Sequence, residues 1–138
     1  MEKIKYDSDL MKIISIFESA TGARLKDAIS AEGSLILIVQ EGDMGRAIGK
    51  NGSNIRKMEN LLKKKIKVAE FSSDTSRFAE NLMMPLQAKN IEVLDGVISI
   101  YCNDTKTRAM LIGRERSNIN FITGILRRHF EVKEVKVL

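Results

Sequence analysis

Ile48-Gly49-Lys50-Asn51-Gly52-Ser53-Asn54-Ile55 recurs 64 residues later as Ile112-Gly113-Arg114-Glu115-Arg116-Ser117-Asn118-Ile119. Each copy lies between two apolar-periodic segments. A short glycine-bearing turn that opens a helix presents backbone N–H groups at the positive end of the helix dipole, a place to hold a phosphate. In the first copy Gly49 and Gly52 bracket two polar residues, and without a Cβ the chain turns sharply and comes close to a ligand. Lys50 adds a full charge. Asn51, Ser53 and Asn54 can donate to phosphate or sugar. Ile48, Ile55 and a strand residue such as Ile38 are expected to floor an apolar groove beside the turn, where unpaired bases would lie. Two such turns suggest a strand of nucleic acid lying across both.

Charge supports a polyanionic ligand. The net charge is +5, and the bias is concentrated beside the first turn. Between Gly49 and Lys67 stand Lys50, Arg56, Lys57, Lys63, Lys64, Lys65 and Lys67, against Glu59 alone. Such a local field attracts an anion, although a lysine run by itself reads equally as a solvated helix end. With 43% hydrophobic residues and a single proline in 138, the chain has the content of a folded core rather than a disordered one. Cys102 is the only cysteine, which excludes an internal disulfide and a cysteine metal cluster. Met1 to Tyr6 carries no leader-like apolar stretch, and the longest apolar run, Leu35 to Val39, is too short to span a bilayer. A soluble, cytoplasmic protein without metal or cofactor is expected.

Outward from the turns, the elements repeat. Asp7-Ser8-Asp9 offers caps for a helix carrying Leu10, Ile13, Ile14 and Phe17, which Gly22 stops. Leu25, Ile29 and Ala31 alternate, interrupted by Asp27, and a turn at Glu32-Gly33 leads into the buried strand Leu35 to Val39. A short helix runs from Met44 to Ile48. After the turn, a longer helix places Ile55, Met58, Leu61 and Leu62 on one face, with Arg56, Lys57, Lys63 and Lys64 on the other. Ile66, Val68 and Phe71 form a third strand. The order restarts after Ser72-Ser73. Asp74 caps a helix with Phe78, Ala79 and Leu82 inward, ended by Met84-Pro85. Ile91 and Val93 alternate with polar residues up to the Asp95-Gly96 hairpin. Val97 to Tyr101 is the next strand, Asp104 caps a short helix, Ile119, Ile122, Ile125 and Leu126 line a longer one, and Val132, Val135 and Val137 close the unit. Units of under 70 residues are marginal alone, and the two are expected to pack as one rigid body.

A glycine turn of this kind between a short and a long helix, with a strand on each side, resembles the KH domain, whose signature Ile-Gly-x-x-Gly is read at Ile48 to Gly52. The element order is similar to its type II form. The resemblance implies an α+β fold of two tandem type II KH units, 1–72 and 73–138, each a three-stranded sheet covered by helices. Such a pair resembles the short archaeal NusA-like transcription factors. This implies binding of single-stranded RNA in transcription termination or antitermination, with RNA polymerase or other transcription factors as partners. The implied RNA-binding residues are Ile48, Gly49, Lys50, Asn51, Gly52, Ser53, Asn54, Arg56 and Lys57, then Gly113, Arg114, Arg116, Ser117 and Asn118.

The second copy departs from the signature. Arg116 stands where the closing glycine would be, and Glu115 would repel phosphate. A weaker site, a grip through the Arg114 and Arg116 side chains, and a purely structural role are all open. A ribosome-associated or RNA-maturation factor shares the same units, and a protein-interaction scaffold that has lost RNA binding is the alternative of another class. Catalysis has little support. No long nucleotide-binding loop and no paired nucleophile and base are visible, so no catalytic residue is assigned. His129 has no identifiable catalytic partner and reads as a helix-end surface residue. Cys102 reads as a small core residue. Aromatic residues are only 5%, too few for a stacking sheet.

Overall fold

The computed structural model describes residues 7–31 and 33–138. Met1–Tyr6 and Glu32 of the expected hairpin turn lie outside the described residues. The chain divides into two compact units between Ser72 and Ser73.

In the first unit, helix α1 (Ser8–Thr21) is followed by β1 (Leu25–Ala31), β2 (Ser34–Val39), α2 (Met44–Ile48), a 3-10 turn (Lys50–Gly52), α3 (Ser53–Leu62) and β3 (Lys65–Glu70). Asp7 caps α1 by accepting from the Leu10 N–H at 2.7 Å, and Gly22, at φ +77°, ends it. The sheet order is β1-β2-β3. The middle strand pairs antiparallel with β1 and parallel with β3, which accounts for its unbroken apolar run. A parallel pair cannot be joined by a hairpin and needs a crossover. Here the crossover is the helix–turn–helix itself, and that fixes the glycine turn beside β3. The core gathers Phe17, Leu35, Leu37, Val39, Ala47, Met58 and Ile66.

The second unit repeats this order with α4 (Thr75–Met83), β4 (Ala88–Leu94), β5 (Val97–Cys102), α5 (Thr105–Ile112), a 3-10 turn (Arg114–Arg116), α6 (Ser117–His129) and β6 (Glu134–Val137). Its sheet order is β4-β5-β6, again antiparallel then parallel. Phe78, Ala79, Leu82, Ile98, Ile100, Ile119, Ile122, Ile125 and Leu126 are buried, as their spacing predicts. The fold is therefore a mixed α and β one, with two three-stranded sheets and their helices.

Both hairpins carry the same irregularity. The register slips between Leu25 and Asp27 in one and between Ala88 and Asn90 in the other. That bulge breaks the alternation at Asp27. Four expectations need correction. Leu61 is 63% exposed, because it sits roughly 100° around the helix from the Ile55, Met58, Leu62 stripe. Val93 is 43% exposed, on an edge strand that has no second neighbour among the described residues. Phe71 lies just past β3, although its N–H still extends the ladder to the Val39 carbonyl at 2.8 Å. Val132 precedes β6 rather than belonging to it.

Candidate nucleic-acid interface

The first turn is built on two glycines that differ in kind. Gly49 has φ +75° and ψ 173°, a backbone region that is essentially closed to residues with a Cβ. A Cβ there would also lie 2.7 Å from Cγ of Asn54 and 3.0 Å from its backbone N. Gly52, at φ +75° and ψ 16°, is merely left-handed, and a Cβ on it would meet only the far end of Arg56 at 3.3 Å. Between them Asn51 is also left-handed, at φ 55°.

Short bonds hold this conformation. The Gly49 N–H donates to the Gly45 carbonyl at 2.9 Å and the Gly52 N–H to Gly49 at 3.2 Å, while Ser53 N–H donates to Lys50. None of these bonds uses the N–H of Lys50 or Asn51. Asn54 donates its side-chain amide to the Arg46 carbonyl at 2.7 Å, tying α3 back to α2. Arg56 Nη1 donates to the Asn51 carbonyl at 2.6 Å. Asn54 and Arg56 thus brace the turn. Lys50, Asn51, Ser53 and Lys57 are exposed around it.

The N-termini of the two helices that follow the turns are left open. Asp7, Asp74 and Asp104 cap α1, α4 and α5 with their carboxylates. Neither α3 nor α6 has a side-chain cap or an acidic residue in its first turn. Their first N–H groups therefore keep the partial positive charge of an uncapped helix.

Beside the first turn lies an open groove of about 330 Å³, lined by Met44, Ile48, Gly52, Ile55, Arg56, Ile66 and Val68. Ile48 and Ile55 take the expected places, but Ile38 does not. It is fully buried, because side chains alternate along a strand, and Leu35, Leu37 and Val39 are the β2 residues in the helix-side core. The strand floor comes from β3 instead. Met44, Ile66 and Val68 were the residues missed; their apolar spacing marked them only as core. Lys63, Lys64 and Lys65 line a separate cavity with Gly33 and Glu59. They stand at the far end of α3, roughly 15 Å from the turn by helical rise. The lysine run and the turn are not brought together.

The second turn copies the first in backbone but not in surroundings. Gly113 has φ +75° and ψ 174°, and Glu115 repeats the left-handed Asn51 at φ 54°. Arg116, at φ 63° and ψ 18°, takes the conformation of Gly52 without being glycine. Asn118 donates to the Leu111 carbonyl at 2.9 Å, one residue past the match of Arg46, and so also ties its helix to the one before the turn. Arg114, Arg116 and Ser117 are exposed. The second unit's apolar positions are more closely covered: Ile119 and Val137, which match Ile55 and Val68 by turn and strand register, are buried where those two are half-buried, while Val135 is buried as Ile66 is. Arg108 and Asn120 stand where Met44 and Arg56 do in the first unit.

The remaining candidates fall away from the turns. Arg127 clamps the chain after its helix, donating to the carbonyls of Val132 at 3.1 Å and Lys133 at 2.8 Å. His129 meets the Phe78 ring edge-on, 5.8 Å between centroids. Cys102 is half-buried rather than a full core residue, and burial pushes its thiol up, away from nucleophilic character. Among the described residues, no group of three or more His, Cys, Asp or Glu side chains could hold a metal ion. No described helix is long and apolar enough to cross a membrane.

A three-stranded sheet whose parallel crossover is a helix, a glycine turn and a second helix defines the KH class, and residues 12–72 match the KH domain family. Over nearly its whole length the chain is similar to two archaeal proteins, each named a probable transcription termination protein NusA. With that of Methanococcus vannielii it is 33% identical, over 99% of this chain and 80% of the relative. With that of Methanocaldococcus jannaschii it is 28% identical, over the full chain and 77% of the relative. It is also similar to a solved structure, the crystal structure of APE1850, at 30% identity and a TM-score of 0.72, over 93% of this chain and 96% of that one. The chain belongs to the archaeal NusA-like KH family.

Proposed function

We propose that this protein is a non-catalytic binder of single-stranded RNA that acts in transcription termination or antitermination. It does so through two type II KH units, residues 1–72 and 73–138. The observation that carries this reading is the pairing, in the first unit, of an uncapped helix N-terminus at a glycine turn with an open apolar groove. The N–H groups of Lys50 and Asn51, the Lys50 ammonium and the Ser53 hydroxyl take phosphate oxygens. Gly49, Gly52, Asn54 and Arg56 hold the turn in shape for that approach. Ile48, Ile55, Met44 and Val68 receive unpaired bases, which a duplex would keep stacked inside itself. Lys57 adds charge on the flank of α3. In the second unit Gly113, Ser117 and Asn118 keep the frame, and Arg114 and Arg116 grip phosphate with side chains. The names of the archaeal relatives support the link to transcription, with RNA polymerase or other transcription factors as partners in the cytoplasm.

Binding measured by fluorescence anisotropy against a single-stranded RNA and its duplex tests this. The single strand binds more tightly, and log K falls with log salt by roughly 0.7 for each phosphate engaged. Equal affinity for both forms, or a constant that ignores salt, contradicts it.

A further inference from the structure

We propose that Phe121 is a stacking platform for one unpaired nucleobase, next to a phosphate held by Arg114 and Arg116. The proposal rests on the RNA-binding reading above.

Phe121 is the fifth residue of α6, one helical turn beyond Ser117 and on the same stripe. That places it about 6 Å along the axis from the arginine turn. Helical side chains lean toward the N-terminus, so the ring is carried back toward the turn. It lies outside the Ile119, Ile122, Ile125, Leu126 face that packs the core, and it is 37% exposed.

A single exposed aromatic needs no explanation in itself. Three further observations set this one apart. First, the repeat shows what it replaces. Phe121 and Met110 occupy the positions that Lys57 and Arg46 hold around the first turn. Met110 is 53% exposed. Two surface cations have become two surface apolar groups at the same turn. Second, Ile119 and Val137 are buried where Ile55 and Val68 are half-buried. These two positions offer a base less apolar surface than their counterparts in the first unit. Third, the helix surface one turn further on is open. Gly124, three residues beyond Phe121, has no side chain and nothing within 4 Å of where its Cβ would be.

The occupant follows from charge. Arg114 and Arg116 are exposed on the turn that opens α6, and Arg108 is exposed on α5 before it, against Glu115. An aromatic face set among cations suits a base on an anionic backbone, and stacking of this kind tolerates any base.

The test uses the full chain with Phe121→Trp. The protein contains no tryptophan, so the new side chain is the sole indole reporter. The probes are a 12-mer of adenosine ribonucleotides and an abasic ribose-phosphate strand of equal length. Stacking predicts strong indole quenching by the adenosine 12-mer and little by the abasic strand at matched occupancy. Phe121→Leu should weaken 12-mer binding about 5- to 150-fold, the range one stacked base supplies, and Phe121→Tyr should preserve it. Unquenched indole under a 12-mer that anisotropy shows to be bound overturns the stacking proposal while leaving RNA binding intact. Wild-type affinity in Phe121→Leu also overturns it. If neither strand binds the wild-type chain, the RNA reading falls and this proposal with it.

Discussion

A Cβ placed on Gly49 would stand 2.7 Å from Cγ of Asn54, the residue whose amide ties α3 to the Arg46 carbonyl. The same relationship holds between Gly113 and Asn118, where the Cβ would lie 2.7 Å from the asparagine Cβ. The tight packing of glycine against asparagine explains why the two turns share their first glycine and not their second. The first sits in a conformation other residues cannot adopt. The second sits in one that costs an ordinary residue about 1–2 kcal/mol.

Gly49→Ala should therefore be far more damaging than Gly52→Ala. Strain and overlap together should cost about 3 kcal/mol or more at Gly49. Gly52→Ala, with only the end of Arg56 to displace, should cost about 1–2 kcal/mol. Urea unfolding of both variants checks the order. Equal losses would mean that the overlap with Asn54 is relieved by a small shift of α3.

Arg116→Gly should stabilise the second unit slightly. Relief of left-handed strain, about 1–2 kcal/mol, is offset by about 0.4–1 kcal/mol of extra freedom in the unfolded chain. The net gain is about 0–1.6 kcal/mol, a Tm unchanged or raised by several degrees. RNA affinity should nevertheless fall, because the guanidinium is lost from a turn that already carries Glu115. Tighter binding would show instead that backbone approach is the limiting factor. Glu115→Ala should tighten binding, most at low salt where charges are least screened.

Acid should weaken the capped helices. The Ser76 hydroxyl hydrogen bond holds the Asp74 carboxyl below its usual range, and the Thr107 N–H does the same for Asp104. A depressed folded-state pKa means the stabilisation is complete above the unfolded value of about 4. It is lost as pH falls through the lower folded value. Asparagine caps equally well without titrating. Asp104→Asn should thus match wild-type Tm at neutral pH and lose less of it between about pH 4 and pH 2. An unchanged acid limb would remove the cap from the account.

Much of this architecture was legible in the amino-acid order. Leu35 to Val39 announced a central strand because a strand with two neighbours and two covered faces tolerates no polar residue, and the repeat located both turns. What escaped notice followed from geometry that composition does not encode. Ile38 and Val68 look alike as letters, yet alternation sends the first into a buried face and the second toward the groove. Arginine has no preference for positive φ, so the left-handed Arg116 became visible only by its place in the repeat. Asn54 reads from the sequence only as a donor to a ligand, and the bond of its amide to the Arg46 carbonyl adds a bracing role that spacing does not announce.

The central claim is that the first turn grips RNA through its exposed tip, and the double variant Lys50→Asp, Asn51→Asp tests it most directly. Both side chains are exposed, and aspartate tolerates the left-handed backbone that Asn51 adopts. The fold and Tm should change little. Two carboxylates would face phosphate where the α3 N–H groups invite it. The predicted result, by anisotropy with a single-stranded RNA, is a loss of affinity of at least about tenfold, or 1.4 kcal/mol, in a protein whose circular dichroism matches the wild type. A folded double variant that binds RNA as the wild type does would contradict the account.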